Sequence, residues 1–175
     1  DDDSHWNRGE WVDLTIRPNN QIRVTLSPSH SRNEPELQFV TRRSFQGEDR
    51  FLFAALEQET VALTLRIDYA VTPDLSIQYY GQPFVSAGDY HDFKRITSPR
   101  ADDYEDRFAL LTSDQLSDDE PGLYVVDEDR DGSADYSFGD PDFNYREFNS
   151  NLVVRWEFSP GSLVYLVWSQ GRNDF

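Results

Sequence analysis

Apolar and polar side chains alternate with a period of two along much of the chain, as in β-strands whose two faces meet different surroundings. In Thr60–Val71, Val61, Leu63, Leu65, Ile67, Tyr69 and Val71 share one face, while Thr60, Thr64, Arg66 and Asp68 share the other. Glu147–Phe158 repeats the pattern, with Phe148, Leu152, Val154, Trp156 and Phe158 set against Asn149, Asn151, Arg155 and Glu157. Val153 is the exception. Ser159-Pro160-Gly161 then reverses the chain, since proline pre-sets one turn dihedral and glycine accepts a positive one. Leu163–Gln170 returns as the second strand of this hairpin. Similar segments are Trp11–Arg17, Gln21–Pro28, Leu37–Arg43 and Leu75–Phe84, with a weaker pattern in Arg50–Glu57. Turns are expected at Pro18-Asn19-Asn20, Gln46-Gly47-Glu48 and Thr72-Pro73-Asp74, a short connection near Gln58, and a polar loop over Ser29–Pro35. About eight strands in sequential hairpins predict an all-β fold of antiparallel up-and-down hairpins.

Residues 1–175 are read as a single β domain, with 85–146 a long acidic external loop region. Within that region Leu123–Val126 reads as strand. Ala101–Leu111 has the spacing of a short helix presenting Tyr104, Phe108 and Leu111, although Arg107–Thr112 would also serve as a strand.

A period of two does not say what the apolar face touches. In a soluble β-sandwich that face is the core, whereas in an outer-membrane β-barrel it meets lipid and the polar face lines the lumen. Thr60–Val71 and Glu147–Phe158 are long enough to cross a bilayer at a tilt, which takes about 9–11 residues. Their polar faces join Arg66, Asp68, Arg155 and Glu157 to Thr, Asn and Gln, the composition of a lumen wall. Aromatics near strand ends (Trp11, Tyr69, Phe84, Phe158 and Trp168) suit interfacial girdles. The two readings are part or all of an outer-membrane β-barrel, embedded in outer-membrane lipid, and a periplasmic or secreted soluble β-sandwich acting as a binding module.

Composition narrows the function. The 175 residues carry 33 acidic and 16 basic side chains, a formal net charge of −17. Nucleic acid is excluded as a partner, because displacing counterions from phosphates needs a basic stripe. Lys94 is the only lysine, so nearly all positive charge is on arginine, whose planar fork pairs with carboxylates. Without cysteine there is no disulfide framework, thiolate metal site or cysteine nucleophile. Aromatic residues make up 14% of a chain whose mean hydropathy is −0.72, and no run approaches the ~20 apolar residues of a membrane helix.

One motif carries chemistry. Asp127-Glu128-Asp129-Arg130-Asp131-Gly132-Ser133-Ala134-Asp135 places carboxylates at alternate positions before a glycine. A tight loop of that kind can aim several oxygens at Ca²⁺, a hard cation that takes 6–8 oxygen ligands. Asp127, Asp129, Asp131 and Asp135 occupy loop positions one, three, five and nine of that pattern, and Phe138 stands where a bidentate Glu would close it. Asp140, Asp142 or a backbone carbonyl would then complete the shell. Mg²⁺ suits the loop less well, because it keeps its waters. The sequence points away from an enzyme: His5, His30 and His91 are scattered, and there is no HExxH, GxSxG or phosphate-cradling glycine loop. His91-Asp92 is expected to be a poor dyad, because strand neighbours point to opposite faces.

Two stretches carry a family resemblance. One is DYSFGDPDFNYREFNSNLVVRWEFSPGS from Asp135 to Ser162, continuing to Leu166-Val167-Trp168-Ser169-Gln170; the other is LSIQYYGQPFVSAGDY from Leu75 to Tyr90. Both resemble the C-terminal region of an uncharacterised family of bacterial envelope proteins. In that family a carbohydrate-binding, family-9-like domain precedes a C-terminal outer-membrane β-barrel domain of unknown function. The resemblance is close over Thr60–Gln170 and general before it. It implies a bacterial outer-membrane location and a role in handling surface carbohydrate or polymer, with carbohydrate bound through an N-terminal domain that this chain lacks. The chain is accordingly read as a segment of a longer protein.

Overall fold

The structure is a computed structural model that describes residues 5–174. Its strands are β1 (His5–Trp11), β2 (Leu14–Ile16), β3 (Ile22–Pro35), β4 (Gln38–Phe45), β5 (Glu48–Thr72), β6 (Leu75–Ile96), β7 (Phe108–Leu110), β8 (Leu116–Glu120), β9 (Leu123–Val126), β10 (Tyr136–Gly139), β11 (Phe143–Ser159) and β12 (Ser162–Asp174). A 3₁₀ turn at Glu105–Arg107 is the only helical element among the described residues. The fold is all-β and antiparallel, as the alternation predicts.

The large sheet has the order β1-β3-β5-β6-β11-β12, with β2 on β3, β4 on β5 and β7 on β6. Among the described residues this order does not return from β12 to β1, so they form no closed barrel; a barrel segment and one sheet of a sandwich both fit it. A smaller sheet has the order β10-β9-β8.

The expected turns form for local reasons. Gln46 and Gly47 both have positive φ, 52° and 79°, the two-residue hairpin geometry whose twist matches the flanking strands. At the β5–β6 turn, Thr72 Oγ1 accepts from the backbone N–H groups of Asp74 and Leu75 at 3.2 and 3.0 Å. Gly161 follows Pro160 at φ 78° between β11 and β12.

Three expectations are corrected. The chain does not turn near Gln58, because β5 runs unbroken for 25 residues through Gln58-Glu59-Thr60, which contains neither glycine nor proline. Ser29–Pro35 is not a loop but the second half of β3. Ala101–Leu111 is not a helix: one 3₁₀ turn leads directly into β7, the strand alternative. The stretch 85–146, expected as an acidic external loop region, contains the end of β6, all of β7–β10 and the start of β11.

The chain divides into two compact units. The first includes residues 33–58 and 88–142, and the second includes 7–32, 59–87 and 143–174. The first has an apolar core of Leu52, Ala54, Phe93, Leu111, Val126, Tyr136 and Phe138. Phe93, Tyr124 and Phe138 meet there ring to ring, with centroids 4.7–5.3 Å apart. In the second, large apolar side chains stay exposed: Val61, Leu63, Trp156, Phe158 and every residue from Leu163 to Trp168.

Candidate functional site

The acidic loop belongs to the first unit and spans the β9–β10 hairpin. Val126 and Tyr136 pair across its base, and the Asp135 N–H donates to the Val126 carbonyl at 2.8 Å. Both flanking strands end in the core, where Val126 and Phe138 are almost fully buried. The nine residues between them must therefore turn within a fixed gap. Arg130 and Gly132 make this possible by adopting left-handed φ values of 61° and 89°.

Carboxylates organise the turn by accepting backbone N–H groups. Asp127 takes those of Asp131 at 3.1 Å and Gly132 at 2.8 Å. Asp135 Oδ2 takes those of Glu128 at 2.7 Å and Asp129 at 3.3 Å. One oxygen each of Asp127, Asp129 and Asp135 comes within 4.8 Å of the other two. Asp131 does not join them; its Oδ1 accepts from the Ser133 N–H at 2.8 Å. Three of the four predicted ligands thus converge, while the fourth shapes the turn.

The outer candidates are placed elsewhere. Phe138 is 1% exposed in the core and cannot be replaced there by a ligating group without unpacking it. Asp142 Oδ1 accepts from the Tyr90 N–H at 2.6 Å, and Asp140 Oδ1 accepts from the Asp142 N–H at 3.0 Å. Neither belongs to the converging group. Partial desolvation, joined by the charges of Asp131, Asp135 and Asp127, raises the Asp129 pKa above the usual carboxylate range. A cation among these oxygens would reverse that cost. Three carboxylates of hard oxygen fit Ca²⁺ in donor chemistry, with carbonyls or waters needed to fill its shell.

Glu128, between two of the aspartates, faces the other way. Its side chain is 6% exposed and accepts from Arg50 Nε at 2.9 and 3.1 Å and from the Tyr136 hydroxyl at 2.9 Å, with Arg95 Nη1 at 3.3 Å. Its carbonyl accepts from Gln115 Nε2 at 2.7 Å. Burial alone would lower the Arg50 pKa, but the hydrogen bond and charge of Glu128 outweigh it and raise it. Burial, then the bond to Glu128, pushes the Tyr136 phenol well above its ordinary range. This buried cluster was not anticipated from sequence, where Glu128 is one more acid in an acidic run. The available signal was parity: Glu128 falls between the alternating aspartates.

Arg130 closes the outer side of the loop, with Nε 2.9 Å from Asp114 Oδ2 and Nη2 donating to Thr112 Oγ1 at 3.1 Å. Among the histidines, His30 Nε2 lies 2.8 Å from Glu59 Oε1. His91 departs from expectation. Asp92 adopts φ 52°, which breaks the strand alternation and brings its Oδ2 to 3.1 Å from His91 Nδ1. The pair is exposed, and Glu57 lies 3.9 Å from the other ring nitrogen.

The fold and loop define an all-β protein with long antiparallel hairpins and an acidic turn. The chain belongs to the family described as a domain of unknown function, DUF5916, whose model matches residues 1–175. No curated protein and no solved structure matches it. No helix among the described residues is long and apolar enough to cross a membrane, which does not bear on crossing by strands.

Proposed function

We propose that the chain is part of the wall of a bacterial outer-membrane β-barrel. The supporting observation is the exposure of large apolar side chains on β11 and β12. Trp156 pairs with Val164, Val154 with Leu166 and Leu152 with Trp168 on one face. Trp156, Val164, Leu166 and Trp168 are 51%, 47%, 64% and 48% exposed, while Arg155 and Glu157 on the other face of β11 are only part-exposed; on that face of β12, Leu163, Tyr165 and Val167 are exposed too. Apolar side chains exposed and charged ones less so, as along β11, is the arrangement of a lipid-facing wall. The test is fractionation of the full-length protein: recovery in the detergent-extracted outer-membrane fraction is expected. Recovery in the soluble fraction without detergent would instead favour a periplasmic or secreted β-sandwich.

A second observation, the convergence of Asp127, Asp129 and Asp135, supports a calcium-stabilised loop in the first unit. Ca²⁺ would neutralise carboxylates that now repel one another. Melting in Ca²⁺ is expected to occur at a higher temperature than in chelator, and coincident melts would remove the metal from the reading. A role in surface carbohydrate or polymer handling rests on the family resemblance alone.

A further inference from the structure

The β2–β3 hairpin brings together two arginines that nothing in it neutralises. Its ladder pairs Leu14 with Leu26, Thr15 with Thr25 and Ile16 with Val24. Side-chain bonds mark one face of that ladder: Ser27 Oγ donates to Asp13 Oδ1 at 2.5 Å, and the Thr15 and Thr25 hydroxyls lie 3.2 Å apart. The ladder ends at Ile16 and Val24; continued by one step, its register would set Arg17 opposite Arg23 on that face, and both residues line one cleft. Directly opposed residues hold their Cβ atoms about 4.5–5.5 Å apart, and like charges so placed destabilise a sheet.

Both arginines are exposed, and neither has an ion-pair partner among the described residues, although the chain has twice as many acids as bases. They line a cleft of about 610 Å³ in the second unit together with Asp68–Ala70 of the neighbouring β5, whose Ala70 N–H donates to the Gln21 carbonyl at 2.8 Å, and Ser76–Gln78 of β6. Two N–H donors at the turn are already engaged: Asn19 Oδ1 accepts from Gln21 at 2.9 Å and Ile22 at 3.0 Å, and Pro18 has none. Asp68 also lines the cleft, where its Oδ1 accepts from Gln78 Nε2 at 3.2 Å.

We propose that Arg17 and Arg23 form an anion site in this cleft and that its ligand is a phosphate group. Two guanidinium forks can each donate a pair of hydrogen bonds to a phosphate, which repays the repulsion between them. The phosphate is either a free anion or the headgroup of an anionic phospholipid. The site stands whether or not the chain lies in a membrane. Asp68 opposes the ligand and limits its affinity.

The test titrates the full-length chain, at fixed ionic strength, with inorganic phosphate and separately with short-chain phosphatidylglycerol below its micelle concentration. Saturable binding of at least one ligand is expected. Arg17→Gln with Arg23→Gln should weaken it about tenfold or more, as expected for loss of charged hydrogen bonds. Asp68→Asn should tighten it, and Arg100→Gln, away from the cleft, should leave it unchanged. Tighter binding of inorganic phosphate assigns the free anion, and tighter binding of phosphatidylglycerol assigns the headgroup. Without ligand, the double variant should melt no lower than the parent, because a repulsion has been removed. The proposal is overturned if neither ligand saturates, if the double variant binds as the parent does, or if it melts lower without ligand.

Discussion

Neighbouring acids in the β9–β10 loop have opposite energetic roles. Glu128 is buried against Arg50, Arg95 and Tyr136, so its charge is compensated. Removing one partner of a buried pair leaves the other charge unmatched and costs about 3–5 kcal/mol. Glu128→Ala should therefore lower stability by that order, measured by denaturant unfolding, while Glu120→Ala on the exposed end of β8 should change little. Asp129 is the reverse case. Its folded pKa is raised, so its carboxylate destabilises the folded chain above that pKa, and the penalty disappears as pH falls below the unfolded value. In chelator at neutral pH, Asp129→Asn should melt above the parent, and the difference should fade toward pH 3. In saturating Ca²⁺ the order should invert. A variant that melts lower in both conditions would show that Asp129 serves the turn rather than a metal.

At the level of strands, local chemistry sets where the sheet reverses. Gln46-Gly47 is such a point, because both residues need positive φ. Gly47→Val should destabilise the β4–β5 hairpin by about 1 kcal/mol or more, since a β-branched residue is poorly tolerated in that region. Denaturant midpoints at constant m-value would measure it. The same chemistry explains what could be read from the sequence. Pro18-Asn19-Asn20, Gly47, Pro73 and Pro160-Gly161 punctuate the chain, and it reverses at each of them. The 25-residue β5 was divided in two because its alternation weakens at Leu52–Leu56, where several successive residues are buried. Burial on both faces erases a period of two. Of the short strands, β9 is legible as Leu123–Val126 and β7 falls within the strand alternative Arg107–Thr112, but β8 and β10 are not legible, because strands of four or five residues beside acids carry too few apolar positions to show a period. At the loop, spacing identified the converging Asp127, Asp129 and Asp135. It could not separate them from Asp131, whose direction is set by the left-handed Arg130 and Gly132.

Over the whole molecule, burial is unevenly distributed, and that bears on the membrane reading. Buried apolar side chains gather in the unit containing residues 33–58 and 88–142, whereas the other leaves Trp156, Phe158 and Leu163–Trp168 exposed. In water such a surface is a liability, because contiguous exposed apolar patches invite association. In a bilayer the same surface is the solvated one. Trp156→Arg separates the two environments. If Trp156 faces water, the exchange removes little packing and should lie within the roughly ±0.5 kcal/mol of ordinary surface substitutions. If it faces lipid near mid-depth, arginine there should cost about 2–4 kcal/mol, falling toward the interfaces. The full-length chain, refolded in lipid bilayers and unfolded reversibly in denaturant, should show the larger loss. A complementary exchange, Asn151→Arg on the opposite face of the same strand, should be tolerated in the same bilayers, because charge belongs on that face. Equal tolerance of both substitutions would place Trp156 in water and remove the barrel wall as the reason for its exposure.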